Sequence, residues 1–212
     1  MMQEGINALV FDHRGVRESE GVFTQQNALA DVNAAIAYLR STNAAEAMKV
    51  DTSRIILAGY SYGGGLALIA SLQEPSIYKI ASIAEADMGE LARRCLEDDE
   101  FRKNAEIQKD EEMGERGMVR GLGGKAFVTS VIDKMDEYDW LKHAEALADK
   151  DILLIGGWRD PYATIERFIL PIYRALQNRG AKKLNIEVYD TDHSFLGFEE
   201  QLARRITSWI RN

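Results

Sequence analysis

The chain has 212 residues, of which 46% are hydrophobic and 28% charged, a composition typical of one well-buried globular domain. The formal net charge of −8 excludes the basic surface typical of a nucleic-acid binder. No apolar run is long enough to span a bilayer, and the first residues lack a signal-peptide pattern. Cys95 is the only cysteine, so no intrachain disulfide forms. We expect a cytoplasmic protein with no nucleic-acid or membrane partner.

The hydrophobic pattern predicts strands that alternate with helices. In chain order the predictions are a strand at Gly5–Phe11, a helix at Asn27–Met48, a strand at Arg54–Ala58, a helix at Tyr62–Leu72, a strand at Tyr78–Ala86, a strand at Ile152–Gly156, a helix at Thr164–Asn178, a strand at Leu184–Tyr189 and a helix at Glu199–Ile210. This alternation predicts an α/β fold with a mostly parallel sheet and helices on both faces. In such sheets the ligand crevice lies at the carboxyl ends of the strands.

A charged, helical stretch breaks this alternation between the third and fourth predicted strands. We interpret residues 88–150 as a helical cap, inserted into a core formed by residues 1–87 and 151–212. A cap at this point would shape the acyl or alcohol pocket, and six apolar residues are candidates for its inner face. They are Met113, Met118, Phe127, Val131, Met135 and Trp140. The alternative is that these side chains only hold the helices of the cap together.

The segment Gly59-Tyr60-Ser61-Tyr62-Gly63 has the pattern G-x-S-x-G between a predicted strand and a predicted helix. This context is typical of a nucleophile elbow, in which a serine lies on a sharp, strained turn. Glycine is expected at both flanks because the backbone approaches closely there. Ser61 is therefore the candidate nucleophile, and the glycines that follow it are expected to allow close packing of the helix on the sheet.

An acid and a histidine follow two later strands, as Asp160 in DILLIGGWRDP and His193 in LNIEVYDTDHSF. A serine hydroxyl needs a neighbouring base, and that base needs an orienting carboxylate. His193 is the candidate base and Asp160 the candidate acid. Asp190 and Asp192 compete for the acidic role, but their position beside His193 in sequence suits the turn that carries the histidine better.

The chain resembles the α/β-hydrolase superfamily, in particular its esterase, dienelactone-hydrolase and prolyl-oligopeptidase-like branch. The resemblance rests on GINALVFDHRG, RIILAGYSYGGGLAL, LLIGGWRDPY and YDTDHSF. It implies the chain order Ser61, Asp160, His193 for the triad and a fold that lacks its first three strands at the N-terminus. Three arrangements would deal with the missing strands. The first strand closes against the strand before Ser61, another chain donates or exchanges strands, or the chain belongs to a larger enzyme.

The resemblance also implies that the backbone N–H of Tyr62 is one donor of the oxyanion hole. The second donor lies in the segment that the chain lacks. Tyr60, Trp158 and Tyr162 stand beside the catalytic positions and either line a substrate pocket or pack against the sheet. Asp12 and Arg14, in the Asp12-His13-Arg14-Gly15 segment, are expected to form a structural pair that holds the loop, and the alternative is a role in substrate binding.

The predicted function is that of a serine hydrolase of the carboxylesterase type, which cleaves small esters through an acyl-enzyme on Ser61. One alternative is a peptidase or acyl-peptide hydrolase, since the same triad serves amides. Another is an inactive hydrolase that needs a partner for the missing strands. The scattered histidines and the single cysteine predict no metal site and no cofactor. Exchange or edge pairing of strands would produce a homodimer.

Overall fold

A computed structural model describes residues 5–113 and 118–212 and forms two compact units. The sheet unit contains residues 5–8, Ile36–Ala86 and Trp140–Asn212, and the helical unit contains Leu9–Ala35 and the described part of Asp87–Asp139. The helical unit thus overlaps the predicted cap, 88–150, but also includes Leu9–Ala35 and ends at Asp139. Residues 114–117 of the predicted cap lie outside the described residues. The role of a cap over an active site stays a prediction.

Four parallel strands form the sheet in the sheet unit, in the spatial order β1-β2-β3-β4. They are β1 (Leu57–Tyr60), β2 (Lys79–Ile83), β3 (Asp151–Gly157) and β4 (Leu184–Tyr189). One row across the sheet runs through Leu57, Ile80, Ile152 and Leu184, so the register places the carboxyl ends of the strands together. The prediction of an α/β fold with a mostly parallel sheet is confirmed.

The helices differ in length from four to sixteen residues. They are α1 (Gln25–Arg40), α2 (Thr42–Met48), α3 (Tyr62–Gln73), α4 (Met88–Glu97), α5 (Asp99–Met113), α6 (Gly124–Asp133), α7 (Met135–Tyr138), α8 (Ala144–Leu147), α9 (Leu170–Asn178) and α10 (Glu199–Arg211), with a π-helical turn at Ile165–Ile169. In the described part of the chain, none of the helices is both long and apolar enough to cross a membrane.

Two helices cover opposite faces of the sheet. On β2, neighbouring side chains point to opposite faces. Gly64 of α3 lies close to Ser82, whereas Ile206 and Trp209 of α10 pack in one apolar cluster with Ala81. Every residue of β3 is buried, as expected for a strand that is covered on both sides. This core fixes the strand ends that carry the candidate site.

The predicted strand at Gly5–Phe11 is wrong, because residues 6–13 form no strand. Leu9 and Val10 are 44% and 89% exposed. Apolar alternation describes side chains, but a strand also needs a neighbour to complete its hydrogen bonds. β1 is an edge strand of the described sheet, and residues 6–13 form no ladder with it, so the arrangement in which the first segment pairs with the strand before Ser61 is also wrong.

The predicted helix at Asn27–Met48 is two helices, because Ser41 separates α1 from α2. The Ser41 hydroxyl accepts a hydrogen bond from the backbone N–H of Ala44, which makes it the N-cap of α2. The predicted helix at Thr164–Asn178 begins instead with the π-helical turn and becomes α-helical at Leu170. Pro171 follows directly, and its missing N–H removes one helical hydrogen bond.

The helical unit has its own apolar core. Cys95, Phe127 and Val131 are buried in it, and Met113 and Met135 pack against it. The predicted inner-face residues Phe127, Val131, Met113 and Met135 therefore hold this unit together. Of the other two, the side chain of Met118 is 64% exposed, and Trp140 is buried in the sheet unit.

The predicted pairing of Asp12 with Arg14 is wrong. The Arg14 guanidinium lies 2.6 Å from one carboxylate oxygen of Asp31. The backbone N–H of Arg14 donates to the other carboxylate oxygen of Asp31 at 2.8 Å. Asp12 pairs with Arg17 at 3.1 Å. The acidic partner of Arg14 therefore comes from helix α1. The sequence around Arg14 does not show that Asp31, and not the nearby Asp12, is its partner.

Candidate active site

Ser61 lies on the turn between β1 and α3 with a φ of 53° and a ψ of −124°. A positive φ is uncommon for a residue with a side chain, and it is stable only where the surroundings enforce it. The Ser61 N–H donates to the carbonyl of Ile83 at 2.8 Å, and the Ser61 carbonyl accepts from the N–H of Gly64 at 2.9 Å. The hydroxyl is thereby held at the carboxyl edge of the sheet.

The two flanking glycines differ in what they contribute. A Cβ on Gly59 would lie 1.9 Å from the carbonyl oxygen of Gly63, so no larger residue fits there without moving the backbone. A Cβ on Gly63 would meet no described atom within 4 Å. The steric requirement for glycine therefore holds at Gly59, and the expectation of the same requirement at Gly63 is wrong.

The glycines after the elbow allow α3 to lie close to its neighbours. A Cβ on Gly64 would lie 2.9 Å from the hydroxyl oxygen of Ser82, and a Cβ on Gly65 would lie 2.7 Å from the indole ring of Trp140. These distances are shorter than real side-chain contacts. Close helix packing is thus the physical reason for Gly64 and Gly65, as the sequence indicated.

Ser61, His193 and Asp160 lie together, although they follow three different strands. His193 Nε2 is 2.9 Å from Ser61 Oγ, and His193 Nδ1 is 2.7 Å from Asp160 Oδ2. Both distances lie in the hydrogen-bonding range. The imidazole therefore bridges a hydroxyl on one side and a carboxylate on the other.

The carboxylate of Asp160 has partners on both oxygens. Its side chain is fully buried, and Oδ1 accepts from the backbone N–H groups of Tyr162 and Ala163 at 2.8 and 2.9 Å. These bonds fix the orientation of the carboxylate beside the imidazole. These two donors were not predicted from the sequence, although an aspartate directly before Pro161 is a signal for a turn of this kind.

The loops after β3 and β4 stay hydrogen-bonded beyond the strands. The N–H of Trp158 donates to Tyr189 O and the N–H of Arg159 to Thr191 O, both at 2.9 Å. A Cβ on Gly157 would lie 2.6 Å from Thr191 O, so the close approach of the loops requires a glycine. This pairing brings Asp160 beside His193.

Two tyrosines surround the imidazole. The Tyr60 hydroxyl donates to the carbonyl of His193 at 2.7 Å, and its ring lies 5.2 Å from the imidazole between centroids. The ring of Tyr162 lies 5.4 Å away on an edge-to-face contact. Burial raises the pKa of Tyr60, and the carboxylates of Asp160 and Asp192 raise it further, so the hydroxyl stays neutral and donates. Tyr60 therefore positions His193.

The other predicted site residues lie around this group. Tyr62 is the first residue of α3, directly after Ser61. The side chains of Trp158 and Tyr162 are 59% and 64% exposed, which leaves them accessible to a substrate. The oxyanion role of Tyr62 and the substrate-binding roles of Tyr60, Trp158 and Tyr162 stay predictions.

The competing acids have other partners. Asp190 lies 3.0 Å from the guanidinium of Arg159 on the surface. Asp192 accepts from the N–H and the hydroxyl of Ser194 at 2.9 and 2.6 Å, and these bonds lower its pKa. Asp192 therefore serves the turn that carries His193, whereas the Asp190 side chain pairs with Arg159 on the loop after β3. Asp160 is the carboxylate placed against the imidazole.

Comparison with protein families identifies the chain. The model of the BD-FAE family matches residues 1–106, which is half of the chain and includes the elbow. The chain belongs to the BD-FAE family. It is also 25% identical over 197 residues to the quorum-quenching protein AidA of Acinetobacter baumannii, a match that covers 89% of this chain. The chain spans 62% of the length of AidA.

Solved structures show the same fold in this BD-FAE chain. The esterase Pf2001 of Pyrococcus furiosus is 19% identical with a TM-score of 0.67, over 99% of this chain and 71% of that one. A monoacylglycerol lipase of Paleococcus ferrophilus is 19% identical with a TM-score of 0.61, over 94% and 81%. The chain therefore has the α/β-hydrolase fold found in esterases and lipases.

Proposed function

We propose that the chain is a carboxylic ester hydrolase that acts through an acyl-enzyme on Ser61. The observation that carries the proposal is the position of the His193 imidazole, 2.9 Å from the Ser61 hydroxyl and 2.7 Å from the Asp160 carboxylate. Membership of the BD-FAE family and the fold shared with esterases and a lipase support the same reaction class.

The hydrogen bonds of Asp160 favour one tautomer of the histidine. An ionised carboxylate only accepts hydrogen bonds, so the proton of the neutral imidazole belongs on Nδ1. Nε2 is then free to accept the proton of the Ser61 hydroxyl. With the proton on Nδ1, the unprotonated nitrogen of His193 faces Ser61, so the imidazole acts as a base for the Ser61 hydroxyl.

In the first half of the proposed reaction, Ser61 Oγ attacks the ester carbonyl carbon while its proton passes to His193 Nε2. The carbonyl oxygen gains negative charge, and the Tyr62 N–H at the start of α3 is the proposed donor to it. The bond to the alcohol oxygen then breaks, and the imidazolium returns the proton to the leaving alcohol. The product is an ester of Ser61.

In the second half, water replaces the alcohol. His193 removes a proton from the water as it attacks the acyl carbon, and returns it to Ser61 Oγ when the acyl–oxygen bond breaks. The carboxylic acid leaves and Ser61 is restored. The exposed rings of Trp158 and Tyr162 are proposed to contact the substrate, which we expect to be a small ester.

Hydrolysis of p-nitrophenyl acetate and butyrate by the purified chain tests this proposal. We expect activity that Ser61→Ala abolishes and that Ser53→Ala, at an exposed turn serine, leaves unchanged. Preference for butyryl p-nitroanilide over the ester would favour the peptidase alternative. No activity above Ser61→Ala from a folded chain would contradict the proposal and favour an inactive hydrolase. Light scattering in the same buffer tests the proposed homodimer.

A further inference from the structure

Large apolar side chains are exposed on the two loops that carry Asp160 and His193. Trp158 and Tyr162 follow β3, and Leu196, which is 78% exposed, follows β4. These two loops are hydrogen-bonded to each other beyond the strands, so one joined pair of loops carries all three side chains. Apolar side chains that are exposed as a group are typical of a binding surface.

The backbone on either side of Leu196 has an uncommon conformation. Phe195 has a φ of 54° and Gly197 a φ of 82°. A positive φ is costly for a residue with a bulky side chain and persists only where the surroundings enforce it. The Phe195 ring is buried in the same apolar cluster as Trp209, which anchors the turn. The anchored turn therefore keeps Leu196 at the surface, close to His193 in the chain.

The Tyr162 ring contacts the imidazole and is accessible at the same time. Its centroid lies 5.4 Å from that of His193 in an edge-to-face contact, and the residue is 64% exposed. The Tyr162 N–H donates to Asp160 Oδ1 at 2.8 Å, which ties the residue to the carboxylate beside the imidazole. An accessible ring is thus held beside the histidine that serves the reaction.

The proposed reaction brings one part of the ester to His193. The imidazolium returns its proton from Nε2 to the oxygen of the leaving alcohol, and this transfer requires a distance of about 3 Å between the two atoms. The acyl carbon is bonded to Ser61 Oγ at this stage, and its oxygen accepts from the proposed donor, the Tyr62 N–H. The group attached to the leaving oxygen therefore lies beside His193, where the Tyr162 ring is exposed.

We propose that the chain prefers esters whose alcohol part carries an aromatic ring one carbon from the ester oxygen, and that Tyr162 determines this preference. Aromatic rings attract each other at centroid distances of about 4.5–7 Å, a range that a ring on so short a link is able to reach from Nε2. Trp158 and Leu196 add apolar contact on the same loops. The preference rests on the ester hydrolysis proposed above.

Benzyl acetate is the simplest ester of this class. Ser61 Oγ forms a bond to the acetyl carbon, the bond from that carbon to the benzyl oxygen breaks, and the Ser61 proton reaches the benzyl oxygen through His193. Benzyl alcohol leaves and water then releases acetic acid. The acetyl-enzyme is the same for every acetate ester, so a difference between acetates arises before the alcohol leaves.

Three esters locate the ring: benzyl acetate, its isomer methyl phenylacetate, and cyclohexylmethyl acetate. The two isomers contain the same atoms, with the ring on the alcohol part in one and on the acyl part in the other. Cyclohexylmethyl acetate has a saturated ring with the same number of carbon atoms. Each kcat/KM of the whole chain is measured by titration of the released acid at constant pH and divided by the rate constant of hydrolysis of that ester by hydroxide.

We expect the normalised kcat/KM of benzyl acetate to exceed that of cyclohexylmethyl acetate by about threefold to tenfold, the range that an aromatic pair contributes beyond its buried area. It should also exceed that of methyl phenylacetate. A larger value for methyl phenylacetate would place the preference on the acyl part. Equal values for the two acetates would mean that only apolar area counts. Either result would overturn the proposed preference.

Three variants assign the preference to the Tyr162 ring. Tyr162→Leu is expected to reduce the ratio of benzyl to cyclohexylmethyl acetate to about one, and Tyr162→Phe, which keeps the ring, is expected to retain the ratio. Tyr38→Leu, at an exposed tyrosine of α1, is the matched control and should also retain it. A merely structural effect on His193 would slow both acetates in proportion and leave the ratio unchanged. An unchanged ratio in Tyr162→Leu, or a lost ratio in Tyr162→Phe, contradicts the role of the ring.

The same assays separate the preference from the hydrolysis on which it rests. Hydrolysis of p-nitrophenyl acetate that Ser61→Ala abolishes, with benzyl acetate cleaved no faster than cyclohexylmethyl acetate, would overturn the preference alone. No hydrolysis of any of the four esters by a folded chain would contradict the hydrolase itself, and the preference with it.

Discussion

The active site and the helical unit treat buried polar side chains in opposite ways. Asp160 is buried with both carboxylate oxygens engaged, by His193 on one side and by backbone N–H groups on the other. Gln25 and Tyr138 are buried with no hydrogen-bond partner. The carboxylate oxygens of the first arrangement are both paired, whereas the Gln25 amide and the Tyr138 hydroxyl of the second are not.

The paired network around Asp160 and the unpaired groups of the helical unit are suited to different tasks. A fully satisfied network holds its members in one geometry, which is what positioning of a nucleophile and its base requires. An unsatisfied buried group adds an energetic cost, which an apolar side chain of the same size would remove. The two regions are therefore expected to respond in opposite directions when their polar groups are replaced.

The largest expected effect is a loss of activity when the hydrogen-bond network around Asp160 is changed. Asp160→Asn keeps an oxygen for the N–H groups of Tyr162 and Ala163 but removes the charge beside His193. The neutral amide no longer enforces the imidazole tautomer that accepts the proton of Ser61. We expect the rate of ester hydrolysis to fall by about 10⁴-fold with little change in stability, measured as kcat/KM on p-nitrophenyl butyrate.

The control for this prediction is Asp190→Asn. Asp190 pairs with Arg159 on the surface, with side chains that are 81% and 67% exposed. Exposed pairs contribute little, so the rate should change by less than about threefold. If Asp190→Asn reduced activity as much as Asp160→Asn, the assignment of the orienting acid would be wrong.

The elbow gives the next largest effect. Gly59→Ala places a Cβ within 1.9 Å of the Gly63 carbonyl oxygen, so β1 and α3 must separate. We expect a loss of about 3 kcal/mol in the free energy of unfolding, measured by urea denaturation, together with loss of activity. Gly63→Ala is the matched control, and its free energy of unfolding should stay unchanged or rise by up to about 1 kcal/mol. Equal losses in the two variants would contradict the steric argument.

Asp87 gives the helical unit a pH-dependent stability. Burial raises its pKa to about 7, the carboxylate of Asp139 adds to the shift, and hydrogen bonding to Gly89 and the charge of Arg93 oppose it. Between about pH 4 and pH 7 the folded state keeps a proton that the unfolded state releases. The contribution of Asp87 to stability therefore falls as the pH rises through this window and is constant above it.

Asp87→Asn removes this dependence and still caps α4 through its side-chain oxygen. We expect the variant to be more stable than the wild type by on the order of 3 kcal/mol at pH 8 and about equal to it at pH 4.5. Urea denaturation over the pH range measures the difference. Asp98→Asn, at the exposed cap of α5, is the matched control for an aspartate-to-asparagine change at a helix cap. An advantage of Asp87→Asn that is the same at both pH values would rule out titration as its cause.

The smallest expected effect is the change in the free energy of unfolding when a buried group without a hydrogen-bond partner is replaced. Gln25→Leu should leave the free energy of unfolding unchanged or raise it by up to about 1 kcal/mol, because no hydrogen bond is lost. Lys150 is the contrast, since its buried ammonium donates to the carbonyls of Ser71 and Ile77 at 2.8 Å. Lys150→Met should cost about 2 kcal/mol. A larger loss in Gln25→Leu than in Lys150→Met would mean that Gln25 is paired.

The sequence predicted the parts of the fold that local pattern controls. The strand at Leu184–Tyr189 has the bounds that its alternation indicated, and Ser61, Asp160 and His193 lie together because each follows its own parallel strand. The segment Gly5–Phe11 has a similar apolar pattern but is not a strand. A strand depends on its neighbour, and no local pattern contains that information.

The unpaired groups of the helical unit could not be predicted for the same reason. Gln25 and Tyr138 are far apart in the sequence, and either residue alone is ordinary. Their shared property is burial without a partner, which only the packing of the helical unit reveals. The ion pair of Arg14 is another example. Asp12 and Asp31 are both aspartates that Arg14 could pair with, and the packing of α1 places Asp31 beside it.

The most direct test of the central claim is covalent labelling by a fluorophosphonate probe, followed by intact mass and peptide mapping. The claim is that the Ser61 hydroxyl is activated by His193 and Asp160. It predicts a single adduct on Ser61 that is absent in Ser61→Ala and forms far more slowly in His193→Ala. A folded chain that is not labelled, or is labelled equally well after His193→Ala, would contradict the account.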